Sequence, residues 1–268
     1  MTRIFFLGGG NMCAAMLAGL SANADFALHV VERSDERRAW LQAQYPVTTH
    51  EQLPDLQHDD VLILAVKPQD MQAALNGVAV NGALVLSIAA GLSCALLSQY
   101  LGGHRRIVRV MPNTPAQVQR GISGVYAGEV SDADKAAAHT IIRSVGEVLW
   151  VDDEEALHAV TAISGSGPGY VFYLMDALFQ AALAQGFDEA DARRLVLKTF
   201  QGASELAAQS EASFATLQHN VTSKGGTTFA ALQEFSRAEV AHTVARAVQA
   251  CAERSRAMGA EMAAKSCG

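Results

Sequence analysis

The sequence predicts an α/β domain built on a parallel, doubly wound sheet, followed by a wholly helical domain. Three observations carry that reading. Short apolar runs alternate with helical patterns up to about Val151, a glycine-rich turn joins the first run to the first helix, and beyond Val151 the strand-like runs stop. At 268 residues the chain is long enough to give each of two domains its own core.

The strand-like runs are "RIFFL", "ALHVVE", "VLILAV", "ALVLSI", "RIVRVM", "ISGVYA" and "EVLWV". Such uniformly apolar runs suit strands covered on both faces, whereas a half-exposed strand would alternate. The helical segments after Val151 are "DEEALHAVTAI", "GYVFYLMDALFQAALAQG", "DEADARRLVLKTFQGASELAAQ" and "SRAEVAHTVARAVQACAERSRAMGAEMAA". Acidic residues open the first and third, where a helix N-terminus favours negative charge. The expected division is 1–152 and 153–268, with the boundary near Asp152 and Asp153.

Composition excludes several classes. Cys13, Cys94, Cys251 and Cys267 show neither CxxC spacing nor a histidine pattern, so a zinc site and a disulfide framework are not expected. Reduced thiols and an opening without a signal peptide predict a cytoplasmic protein. The uncharged stretch from Met71 to Gly103 is broken by Asn76, Asn81, Ser87, Ser93 and several glycines, so no membrane span is expected. A formal net charge of −7 argues against a nucleic-acid surface.

Chemistry begins at "IFFLGGGNMCAAML". Gly8 and Gly10 fit G-x-G-x-x-G after a strand and before a helix, with Cys13 at the third position as a small substitute. The pattern predicts a Rossmann-like dinucleotide-binding domain with the pyrophosphate at a helix N-terminus. The second strand ends at "VVERSDERR", where the ribose is read. Two readings stand side by side there: Glu32 bonding a 2′-hydroxyl and favouring NADH, or Arg33 and Ser34 holding the 2′-phosphate of NADPH. A solvated helix start is the third.

In the helical domain, "ISGSGPGYVFYLMDALFQAAL" places Pro168 where a first helical turn tolerates it, followed by a helix apolar almost all round from Tyr170 to Leu183. A domain of this size cannot surround such a helix alone, which predicts a second subunit. "HNVTSKGGTTFAAL" then interrupts the helices with paired glycines. The N–H groups of Gly226 and Thr227, a helix starting near Thr227, and the hydroxyls of Ser223 and Thr228 could together hold an anion. An ordinary glycine turn with a threonine cap is the alternative.

"GGGNMCAA", "AVKPQ", "VMPNTPA", "AISGSGPGYVFYLMDAL" and "NVTSKGGTTFAAL" occur in this order over nearly the whole chain, and together they resemble the Δ1-pyrroline-5-carboxylate reductases. The resemblance implies NAD(P)H-dependent reduction of a cyclic imine carboxylate to L-proline by a homodimer or a ring of dimers. In its pattern Leu7, Gly8, Gly9, Gly10, Asn11 and Met12 form the pyrophosphate turn, and Arg33 falls where the adenosine ribose is read. Ala65, Val66, Lys67 and Pro68 form the nicotinamide-side edge of the sheet, and Ala89 with Ala90 lines the cofactor cleft; small residues that let a helix pack close are the alternative for these two. Glu211, Asn220, Ser223, Gly225, Gly226, Thr227 and Thr228 bind substrate, with Thr228 assisting the imine nitrogen. A helix-surface role is the alternative for Glu211. Glu32 departs from the family, which commonly carries a small or uncharged residue there. Two rival readings remain. A β-hydroxyacid dehydrogenase needs a lysine in the helix after "SGSGP", and none precedes Lys198; a silent NADP-binding scaffold would have no use for Ser223 and Thr228.

Overall fold

The computed structural model describes residues 1–266; Cys267 and the end of the expected second domain lie outside them. The first part alternates strands and helices: β1 (Thr2–Leu7), α1 (Asn11–Leu20), β2 (Phe26–Val31), α2 (Asp35–Gln44), β3 (Thr48–His50), β4 (Val61–Leu64), α3 (Met71–Leu75), β5 (Leu84–Ser87), α4 (Cys94–Tyr100), β6 (Ile107–Met111), β7 (Gly121–Ala127), α5 (Asp132–Arg143) and β8 (Gly146–Val151). Helices follow: α6 (Ala156–Val160), a π-turn at Thr161–Gly165, α7 (Gly167–Ala184), α8 (Glu189–Ala208), α9 (Phe214–Asn220), α10 (Thr227–Arg237) and α11 (Val240–Ser266).

The eight strands form one sheet in the order β3-β2-β1-β4-β5-β6-β7-β8. Alternation along each strand sends side chains to two separate cores. Ile4, Phe6, Val30, Ile63 and Leu86 pack with Met16 and Leu17 of α1, Leu41 of α2 and Ile141 of α5. Phe5, Leu7, Leu62, Leu64 and Val85 pack with Met71 of α3 and Leu97 of α4. Burial on both sides explains why these runs read as continuously apolar.

The parallel sheet expected from sequence holds except at one pair: β7 runs antiparallel to β6. Residues 112–120 that join them include a short 3-10 turn, Thr114–Val118, and no α-helix. A parallel crossover needs a dozen or more residues, so the chain turns back instead. β3 and α9 are additional to the expected elements.

The compact units also divide differently from the expectation. The first is Met1–Ser166 together with the chain from Ala250, and the second is Gly167–Gln249. Beyond residue 152, α6 buries Leu157 and His158, and the middle of α11 buries Ala252 and Ser255. His158 Nδ1 and Ser255 Oγ, 2.7 Å apart, join these two helices within the first unit. In the second unit, α7 has no buried residue in the single chain: Phe172 is 64% and Tyr173 76% exposed. No helix among the described residues is long and apolar enough to cross a membrane.

Candidate active site

Strand order reverses between β1 and β4, since successive connections from there run to opposite sides of the sheet. Ligands of open α/β sheets bind outside the carboxyl ends of the strands at such a point. A cavity of about 530 Å³ lies there, lined by Leu7, Gly8, Gly9, Gly10, Glu32, Arg33, Ala65, Val66 and Lys67, and extended by residues of the β3–β4 connection and of α3.

The glycines of the turn have separate reasons. Gly8 has φ +106°, and a Cβ there would lie 2.9 Å from the Ala65 carbonyl carbon and the Val66 nitrogen, so the close approach of β1 to the end of β4 requires glycine. A Cβ on Gly10 would meet nothing within 4 Å, which leaves the space in front of α1 open. Gly10 is also the N-cap of α1, with no side chain capping it. The open N–H groups at this N-terminus and the space above Gly10 fit a dinucleotide pyrophosphate.

Other expected cofactor residues fall around this cavity rather than in its lining. Asn11 and Met12 begin α1. Ser34 is the N-cap of α2, its hydroxyl accepting from the Arg37 N–H at 3.2 Å. Pro68 opens a 3-10 turn, Pro68–Asp70. Ala89 is buried and Ala90 half-buried in the turn after β5; beside them Gly91 approaches the backbone of Gly259 in α11.

Two residues build the turn itself: Glu32, read from sequence only as a ribose contact, and Arg37, for which no site role is expected. Glu32 accepts from the Gly9 N–H and from the Ser34 N–H, each at 3.0 Å. Arg37 donates from Nε to the Gly9 carbonyl at 2.7 Å and from Nη2 to that of Gly10 at 3.3 Å. The sequence signal is the middle glycine: a Cβ on Gly9 would press on Leu41 at 2.9 Å and on Glu32 at 3.1 Å.

The glycine loop of the second unit lies between α9 and α10. Gly225 has φ +74°, and the Gly226 N–H donates to the Ser223 carbonyl at 3.0 Å, closing a turn. This corrects the expectation that Gly226 and Thr227 offer a pair of free N–H groups. Gly226 has a turn partner, while Thr227, Thr228 and Phe229 begin α10 with no backbone acceptor among the described residues, because Ala230 takes the first helical bond to Gly226. A Cβ on Gly226 would collide with Ser223 Oγ, so glycine also lets that hydroxyl fold over the turn. Ser223 and Thr228 are exposed. Asn220 ends α9, and Glu211 lies in the connector before α9, not on a helix.

The comparisons match this division of labour. Residues 154–258 match the family model "Pyrroline-5-carboxylate reductase dimerisation", and residues 3–91 match "NADP oxidoreductase coenzyme F420-dependent". The chain is 39% identical to a pyrroline-5-carboxylate reductase of Vibrio alginolyticus, over 96% of this chain and 97% of that one. It is 41% identical to that of Pseudomonas aeruginosa, over 94% and 95%. A solved Coxiella burnetii pyrroline-5-carboxylate reductase superposes with a TM-score of 0.84 at 34% identity, covering 96% of this chain and 98% of that one. The Plasmodium falciparum pyrroline carboxylate reductase, solved with NADP bound, gives 0.83 at 28% identity over 96% and 98%. With the similarity running through both the glycine-turn cavity and the helical segment, the chain belongs to the pyrroline-5-carboxylate reductase family.

Proposed function

We infer that the protein is an NAD(P)H-dependent pyrroline-5-carboxylate reductase, a homodimer that makes L-proline from 1-pyrroline-5-carboxylate in proline biosynthesis. The observation that carries this reading is the coverage: relatives at 39–41% identity align over 94–97% of either chain, so both units are matched. The nicotinamide cofactor supplies the hydride. Free thiols at Cys13, Cys94 and Cys251 fit a cytoplasmic setting.

The remaining work belongs to the chain's own groups. A C=N nitrogen is basic enough to carry a proton, and the carbon beside it is then electrophilic, so positioning and electrostatics are the main tasks. We assign the pyrophosphate to the N-terminus of α1 with Gly8, Gly9 and Gly10, and the 2′-phosphate to Arg33 and Ser34. Ser223 and the N-terminal N–H groups of α10 hold the substrate carboxylate, and the Thr228 hydroxyl donates to the nitrogen when its lone pair is free, before protonation and again once hydride has made it an amine. Glu211 and Asn220 complete the substrate group. When hydride reaches the carbon, the nitrogen keeps its proton and the C=N bond becomes a secondary amine.

The deciding experiment is turnover of pyrroline-5-carboxylate with NADPH and with NADH. Oxidation of NADPH coupled to proline formation is the expected result; no proline with either cofactor would sink the assignment. A 3-hydroxy acid oxidised in its place would favour the dehydrogenase reading.

A further inference from the structure

We propose that Glu32 and Arg37 are positioning residues that clamp the phosphate-binding turn, and that Glu32 does not select between NADH and NADPH. The proposal deepens the cofactor reading above and rests on it for its binding arm alone.

A carboxylate at the end of the second strand selects NADH by accepting hydrogen bonds from ribose hydroxyls. In this chain each of its two oxygens already accepts a backbone N–H, which aims the carboxylate at the turn, so a ribose hydroxyl would have to share an oxygen with it. Oε2 holds the Gly9 N–H and Oε1 holds the Ser34 N–H, both at 3.0 Å. Glu32 therefore ties the glycine turn to the start of α2. Arg37 grips the same turn by its carbonyls, Gly9 at 2.7 Å and Gly10 at 3.3 Å. Its guanidinium is held in turn 4.2 Å from the Trp40 ring centroid.

Peptide planarity turns this clamp into aim. The carbonyl of one residue and the N–H of the next point in opposite directions across a trans peptide. With the Gly9 and Gly10 carbonyls fixed on Arg37, the N–H groups of Gly10 and Asn11 are directed to the opposite side. A methyl group placed on Gly10 would have no neighbour within 4 Å, and this open space lies in front of α1. Glu32 consumes the Gly9 N–H, so the donors left for a pyrophosphate begin at Gly10. The middle glycine belongs to the same device, since a Cβ on Gly9 would press against Glu32 and Leu41. Discrimination of the 2′-phosphate then falls to Arg33, which is exposed at the cavity edge.

The test compares Glu32→Gln, Glu32→Asp and Arg33→Ala. Glutamine offers one acceptor oxygen in place of two, and aspartate keeps the charge but is one methylene too short to span both donors. In the cofactor-free dimer, amide hydrogen exchange at Gly9 and Ser34 should speed up in both Glu32 variants and not in Arg33→Ala. Fluorescence titration should show the Kd for NADPH and for NADH raised together, by about tenfold each, as expected for a lost hydrogen bond to a charged group. Arg33→Ala should weaken NADPH alone. Gly9 exchange that stays at the parent rate, or a Glu32 variant whose NADPH-to-NADH preference moves by about tenfold or more, overturns the proposal. If the parent binds neither cofactor, the functional reading fails while the exchange result still decides the clamp.

Discussion

Ser223 and Thr228 differ in position. Ser223 folds its hydroxyl over Gly226, and Thr228 stands in the first turn of α10. Losing one hydrogen bond to a charged group costs about 1.5–3 kcal/mol, so Ser223→Ala should raise KM by roughly one to two decades and leave the NADPH Kd unchanged. Thr228→Ala should also lower kcat. If a carboxylate-free imine suffers equally from Ser223→Ala in steady-state kinetics, the loop is structural. At the ribose end, Arg33→Ala should cut kcat/KM with NADPH well below that with NADH, and equal losses would remove Arg33 from the 2′-phosphate. His158 sets a pH dependence of another kind. Burial lowers its pKa below the ordinary 6.5, partly opposed by Glu155. The unfolded chain then binds the proton first, so stability is full above about pH 6.5 and falls as pH drops through the folded value. His29, His50 and His104 are lowered by burial too and act in the same direction. Thermal melts of His158→Gln should show a shallower loss below that pH; an unchanged slope would discount His158.

At the scale of elements, one ion pair ties three together. Glu154, just before α6, accepts from Arg109 of β6 at 2.9 Å and from the Cys94 N–H at the start of α4 at 2.7 Å. Arg109 has only 8% of its side chain exposed and Glu154 25%. Removing one partner of a buried pair costs about 3–5 kcal/mol because a charge is stranded, and the partial exposure of Glu154 places Glu154→Ala toward the lower end. Urea unfolding should register this, with Arg109→Met on top restoring part of the loss; a loss below about 1 kcal/mol would make the pair a surface-like contact. The elements themselves differed in legibility. β1, β4 and β5 announced themselves because both faces are buried, whereas β3 is "TTH" at the sheet edge, with one neighbour and polar side chains. The seven residues of α9 are too few to show a period, although Ser213 caps it by accepting from Thr216.

For the whole molecule, the decisive surface is α7. Val171, Phe172, Tyr173, Leu174 and Leu178 are all exposed in the single chain, and they fall within the segment that matches the family's dimerisation model. Covering them explains why a helix apolar all round is tolerated. Phe172→Asp should therefore shift the protein to monomer in light scattering and remove most activity. A fully active monomer at nanomolar concentration would show that the second subunit is dispensable.

The sequence by itself determined what local chemistry can encode. Two-sided apolar runs made the strands, a glycine turn after the first of them marked the phosphate end, and the breaks around Pro168 and Gly225 marked the helical boundaries. Family blocks spread over the chain named the reaction. Tertiary structure alone decided partnerships between residues distant in sequence. β7 reverses because its connection is too short for a crossover, and α11 from Ala250 onward belongs to the first unit, where Ser255 meets His158. Gly226 spends its N–H on Ser223, while Glu32 spends both oxygens on Gly9 and Ser34. Each is a competition for one hydrogen bond or one buried face, and its winner depends on which groups folding brings within about 3 Å of each other.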